Sequence, residues 1–348
     1  MSIPMDLFQL TRALIDIDSV TGRERRIGDF LFDWLSALAA RSGGTVERMP
    51  VAEDRFNVFA AWGRPEVVLS THMDTVPPFF PSSEDDEHIH GRGACDTKGG
   101  IAAMLGAAEE LLAAGRNGFG LLFVVGEETD SLGAQAADRD PRGSRFLING
   151  EPTENRLALG SKGGLYLAVE AEGRAAHSAY PELGASAIDR LLAALARLRT
   201  VPLPTDPVLG ETTLNIGTLE GGRAANVIAD RARAEVMIRT VGDTAELRER
   251  LSAAIEGQTE IEGVRIAEIR ETRAMRLGSL PGFATTVVKY TTDIPRLPAW
   301  GEPYLLGPGS IHDAHTAHER VSRREILEAA HLYRDLVDRL QTGARDGI

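Results

Sequence analysis

One cysteine, Cys95, is the entire thiol complement of the 348 residues, so no disulfide can form within the chain. Basic residues are in deficit as well: 38 Lys and Arg stand against 51 Asp and Glu, a formal net charge of −13. Nucleic acid and anionic lipid both demand clustered Lys and Arg, so neither is expected as a partner. There is no uninterrupted run of about 18 apolar residues. Met1 to Ser19 lacks the charged-then-apolar pattern of a leader, so no membrane span and no signal peptide are expected, and a cytoplasmic location is. Internal repeats and low-complexity tracts are also missing. What is present is ordinary for a globular protein, 43% hydrophobic and 26% charged. The length suits about 2.3 domains of roughly 150 residues.

Hydrophobic spacing from Gly22 to about Ala40 predicts an amphipathic helix, with Thr21 and Glu24 placed as a capping box. Downstream, short apolar runs at Asn57–Trp62, Val67–Thr71, Leu121–Val125 and Phe146–Ile148 alternate with helical stretches, including one over about Gly100–Ala114. That alternation predicts an α/β fold with a mixed, largely parallel sheet and helices on both faces. From about Leu165 to Glu271 the order changes to β-α-β-β-α-β, the pattern of a ferredoxin-like unit. Afterwards the pattern predicts a helix near Phe283–Tyr290, a strand at Tyr304–Leu306 and a long helix over about Ser322–Leu340. The expected division is a discontinuous larger domain, 1–164 and 276–348, with a smaller domain, 165–275, inserted into it.

Functional groups of open parallel sheets gather beyond the carboxyl ends of the strands. Here Val67–Thr71 runs into His72-Met73-Asp74, and Leu121–Val125 into Gly126-Glu127-Glu128. Phe146–Ile148 leads to Asn149-Gly150-Glu151, and Tyr304–Leu306 to Gly307-Pro308-Gly309 followed by His312, His315 and His318. A glycine-rich loop, Gly91 to Gly100, carries Asp96 into the start of a helix. Each piece alone is an ordinary loop feature, but four strand ends delivering carboxylate or imidazole to one rim are not. Crowded carboxylates raise one another's pKa unless a cation compensates them. His with several carboxylates suits Zn, Co or Mn. Such an ion would lower the pKa of bound water toward about 7 and polarise a carbonyl. Fingerprints for dinucleotides, P-loops, nucleophilic serine and His-Glu-x-x-His zinc sites are missing. Cys95 reads as a small buried thiol beside Asp96, not as a nucleophile.

Taken together, Ser70-Thr71-His72-Met73-Asp74-Thr75-Val76-Pro77, Gly91 to Gly100, Glu127-Glu128, Gly150-Glu151-Pro152-Thr153, Gly173-Arg174-Ala175-Ala176-His177-Ser178 and Gly307-Pro308-Gly309-Ser310 with Ala314-His315 resemble the M20 family of metallopeptidases. The resemblance runs in order from about residue 5 to 340. Within the family it is nearest to the branch of acetylornithine deacetylase and succinyl-diaminopimelate desuccinylase. It implies a zinc-peptidase-like fold with two divalent ions, zinc or sometimes cobalt. His72 and Glu151 would hold one ion, Glu128 and His315 the other, and Asp96 both. It implies Glu127 as general base, Asp74 as the carboxylate orienting His72, and His177 as a stabiliser of the developing oxyanion. Asn226 and Arg239 would contact substrate, and the inserted domain would act as lid and homodimerisation surface. The implied reaction is hydrolysis of the amide bond of an N-acyl amino acid such as N-acetylornithine. N-succinyl-diaminopimelate or a small dipeptide is the alternative, and a non-catalytic metal-binding protein on the same fold the reading from another class. His312 and His318 flank His315, so its assignment rests on the pattern Ala-His-x-x-x-Glu, completed by Glu319.

Overall fold

In the computed structural model, which describes residues 6–343, the first unit opens with helix α1 (Leu7–Ile15), capped by Asp6, whose Oδ1 accepts the N–H groups of Phe8 and Gln9. It continues through α2 (Arg25–Ser42), β1 (Thr45–Ala52), β2 (Arg55–Trp62), β3 (Val67–His72), α3 (Gly99–Ala113), β4 (Phe119–Val124), α4 (Leu132–Asp138) and β5 (Phe146–Asn149). A second unit follows, with β6 (Gly163–Glu172), α5 (Ala187–Leu198), β7 (Thr213–Gly221), β8 (Arg231–Thr240), α6 (Ala245–Ile255) and β9 (Val264–Thr272). The chain then returns to the first unit with β10 (Glu302–Leu305) and α7 (Arg323–Thr342). The first unit comprises the chain up to Leu159 with Leu277–Thr286 and the chain from Thr292 onward; the second comprises Gly160–Arg276 and Val287–Thr291.

The sheet of the first unit has the order β1-β2-β4-β3-β5-β10. β4, β3, β5 and β10 are mutually parallel, while β1 and β2 join antiparallel. β3 and β4 are buried along their whole length, as central strands covered on both faces must be. One face packs Leu14, Leu31, Leu105 and Leu336 from α1, α2, α3 and α7; the other packs Leu122 and Val68 against Ala134 and Trp300. The second unit is a four-stranded antiparallel sheet, β7-β8-β6-β9, the ferredoxin-like strand order. Along β8, Ala232, Ala234, Val236 and Ile238 alternate inward beneath α5 and α6.

Two local expectations fail. Thr21 and Glu24 form no capping box: Glu24 is engaged by Arg55, and Thr21 Oγ1 donates instead to Asp74 Oδ2 at 2.7 Å. α2 begins only at Arg25, so Thr21 lies before its N-cap position, which Glu24 occupies without a side-chain cap bond. The segment expected as a helix near Phe283–Tyr290 contains the strand Thr285–Val288, where four successive β-branched residues favour extended backbone. β1 escaped the pattern because it is an edge strand, exposed along most of its length and without an apolar run. Among the described residues no helix is long and apolar enough to cross a membrane. Met1 to Met5, the start of the segment read for a leader, lie outside the described residues.

Candidate metal centre

His72 is the last residue of β3, and its ring is 1% exposed. Nδ1 lies 3.0 Å from the Asp74 carbonyl oxygen and 3.5 Å from the Asp74 carboxylate; Nε2 lies 3.0 Å from Asp96 Oδ1 and 4.0 Å from Glu151 Oε2. Burial opposes a charge on the ring, but the bonds to Asp74 and Asp96 prevail and hold its pKa well above the usual value.

Asp74 does more than face His72. Its Oδ1 accepts the backbone N–H groups of Gly126 and Glu127 at 3.0 and 3.1 Å, and Oδ2 accepts that of Glu128 at 3.3 Å. One buried carboxylate thus folds the turn after β4 that presents both glutamates. The neighbouring strands are tied similarly: Thr97 Oγ1 donates to the His72 carbonyl, and Thr71 Oγ1 to the Gly150 carbonyl next to Glu151.

Asp96 sits in the wide turn Ala94–Lys98 that leads into α3, with non-helical φ −122° and ψ 81°. Its Oδ2 is 3.1 Å from His315 Nε2, which also lies 3.0 Å from Glu128 Oε2. Burial works against the Asp96 charge, yet bonds from His315 and His72 hold its pKa well below the ordinary range. Asp96 and Glu128, chiefly through their bonds to the ring, raise His315 to about 10. Burial first, and then neighbouring carboxylates, push Glu127 and Glu151 well above the usual value; Glu128 rises less. Glu151 Oε1 is buried without a hydrogen-bond partner.

This donor set suits divalent cations. Ligand atoms of His72, Asp96 and Glu151 lie within 4.8 Å of one another, as do those of Asp96, Glu128 and His315, so Asp96 belongs to both groups. His312 and His318 are exposed and belong to neither. His315 is singled out by its backbone: φ of 63° turns it toward Asp96 where helical geometry would not. Cys95 is buried with a raised pKa, caused by burial and then by Glu319, and a Cβ on Gly309 (φ +88°) would lie 2.4 Å from the Cys95 Cβ. The thiol is therefore packing beneath the Gly307–Gly309 turn.

His177, Asn226 and Arg239 lie in the second unit. His177 is exposed and bridges to Val227, and its Nδ1 accepts the Ala179 N–H. Asn226 is exposed, and its carbonyl accepts the Ser178 N–H. Arg239, on β8, has a buried Nη1 without a hydrogen-bond partner. Asp293 carries no strand-end signal in the sequence, yet it is 1% exposed, with burial raising its pKa to about 6, and its charge bears on Glu127 and Glu151.

The model of peptidase family M20/M25/M40 matches residues 68–339. The chain belongs to this family. A relative from Aspergillus clavatus, named a probable carboxypeptidase, is 40% identical over 95% of this chain and 82% of its own length. A tripeptidase from Staphylococcus aureus superposes with a TM-score of 0.79 at 22% identity, over 95% of this chain and 98% of that one. An M20 protein from Bacillus subtilis described as a dinuclear metal-binding peptidase superposes with a TM-score of 0.71 at 15% identity, over 97% and 98% of the two chains. At these identities the two structural likenesses speak for the fold. As an M20 protein the chain is a metal-dependent hydrolase.

Proposed function

We propose that the chain hydrolyses the amide bond of an N-acylated amino acid, releasing an amine that carries a free α-carboxylate. The observation that carries this reading is a single carboxylate, Asp96, shared by two ligand groups, with Glu127 on the same turn as Glu128. His72 and Glu151 would hold one divalent ion and Glu128 and His315 the other, zinc or cobalt by donor type. The ions would supply Lewis acidity for the carbonyl and acidify water. Glu127 takes the proton of the attacking water and passes it to the departing nitrogen, a role served by a carboxyl that burial holds above its usual pKa. Asp74 fixes the His72 ring and the backbone of Glu127. His177 stabilises the oxyanion. Arg239, whose Nη1 is buried and unpaired, grips the α-carboxylate with help from Asn226. The second unit also serves as lid and as the surface of a homodimer.

N-acetylornithine is the first substrate of this class, and N-succinyl-diaminopimelate the second. The carboxypeptidase name of the 40% identical relative favours a further reading, short peptides that lose a C-terminal residue. Both readings place a carboxylate on the leaving amine. Incubation of the metal-loaded protein with N-acetyl, N-succinyl and dipeptidyl derivatives of several amino acids tests this. Amine release is expected from derivatives with a free α-carboxylate and not from their α-amides. Equal release from the amides would overturn the assignment of Arg239, and no release from any compound would overturn the function.

A further inference from the structure

Glu319 and Arg92 form an ion pair inside the first unit, Arg92 Nη1 lying 2.6 Å from Glu319 Oε2 with side chains 1% and 3% exposed, respectively. A pair taken this far out of water is costly unless its remaining polar atoms are used. They are. Glu319 Oε1 accepts the backbone N–H of Asp96 at 3.3 Å and faces Cys95 Sγ at 3.7 Å. The Glu319 carbonyl accepts the Gly91 N–H at 3.0 Å. Arg92 Nε donates to the Pro78 carbonyl at 3.2 Å, and its guanidinium lies over the Phe80 ring, 4.9 Å from the centroid. Beyond the pair, Arg320–Ser322 continues as a strand antiparallel to His88–His90.

These contacts join the two loops that deliver Asp96 and His315. Neither residue is held by regular structure: Asp96 has non-helical φ and ψ, and His315 is left-handed. A left-handed non-glycine residue such as His315 persists only where surrounding contacts over-determine it. We propose that the Glu319–Arg92 pair is the positioning device that sets Asp96 against His315, so that metal affinity and turnover depend on two side chains that are themselves no part of either ligand group. The proposal rests on the reading of Asp96 as the shared ligand.

The test uses the full chain, metal-free and reloaded, with the variants Glu319→Gln, Arg92→Met, Arg92→Lys and Asp96→Asn. Glutamine keeps an acceptor for the Asp96 N–H but turns an amide toward Arg92. Zinc affinity is read by competition with a chromophoric chelator, geometry by the visible absorption of the Co(II)-substituted protein, and catalysis by kcat and KM separately. Glu319→Gln and Arg92→Met are expected to weaken zinc about 10- to 100-fold, to change the Co(II) spectrum at saturating metal, and to lower kcat more than KM. Arg92→Lys keeps the charge without the fork and recovers part of each loss; it remains readable if Glu319→Gln does not fold. Folded Glu319→Gln and Arg92→Lys proteins with parental affinity and spectrum would overturn the proposal, as would a lower melting temperature accompanied by an unchanged spectrum. Parental zinc affinity in Asp96→Asn would instead overturn the underlying assignment of Asp96.

Discussion

His72 and His315 both bond Asp96, yet the side chain of His72 is 1% exposed and that of His315 is 50% exposed. His72 ends a strand buried on both faces, and its ring is fixed at Nδ1 by Asp74. His315 comes from a loop in a left-handed conformation and meets Asp96 and Glu128 at the edge of solvent. The glutamates of the two groups are enclosed alike, the side chains of Glu151 and Glu128 each being 6% exposed, so the contrast lies in the two histidines. Asp96 is the common anchor of two histidines of unequal enclosure.

The largest effect expected from this contrast is on the metal-free fold. His72→Ala strips a sealed partner from Asp74 and Asp96 and should cost about 3–5 kcal/mol, as breaking a buried pair does. His315→Ala, at a half-exposed position, should cost no more than about 1 kcal/mol. Urea unfolding of the two metal-free variants measures the difference, and equal losses would erase the distinction.

Next in size is metal exchange. A chelator added to the loaded protein should remove two equivalents in two phases, and His315→Ala should abolish the fast phase while His72→Ala removes the slow one. A single phase in the parent would show that the two ligand groups are enclosed alike.

The smallest effect is a slope with pH. In the metal-free protein Glu128 and Glu151 have pKa values raised above the unfolded value, so their stabilisation is complete below about pH 4 and fades as pH rises through the folded values. His72 and His315 are raised too; their contributions hold below about pH 6.5 and fade upward, for His315 toward about 10. Asp74 and Asp96 are lowered and act oppositely, but only on the acid side of about pH 4. Lys98, lowered by burial to about 7, acts the other way above that pH, so the melting temperature of the metal-free protein should fall from pH 5 to pH 7. Metal displaces these protons, so the rise on adding zinc should grow over the same range. A metal-free melting temperature that climbs from pH 5 to pH 7 would contradict the pKa directions.

Most of the centre was legible in the sequence because parallel strands announce themselves as short apolar runs, and the residue after the run is the residue at the rim. His72, Asp74, Glu127, Glu128 and Glu151 all follow that rule. Asp96 was legible through its glycine-rich loop. The choice of His315 over His312 and His318 was legible only through the pattern Ala-His-x-x-x-Glu, since spacing alone cannot reveal which one adopts a left-handed backbone. Asp293 escaped because it follows a strand, Thr285–Val288, whose surroundings read as helical. The tie from Glu319 to Arg92 and Asp96 joins positions 227 and 223 residues apart, which no local pattern exposes. The capping box failed because α2 begins only at Arg25, and Thr21 and Glu24 instead meet Asp74 and Arg55, partners that only the fold supplies.

The reading of the Asp96 cluster as a two-ion hydrolytic centre worked by Glu127 meets its most direct test in one paired measurement. Metal content by mass spectrometry and amine release should be measured on one preparation each of the parent and Glu127→Gln. Two equivalents of metal are expected in both, with turnover in Glu127→Gln reduced by about 10²- to 10⁴-fold. A Glu127→Gln protein that turns over like the parent, or a parent that binds no metal while remaining active, would contradict it.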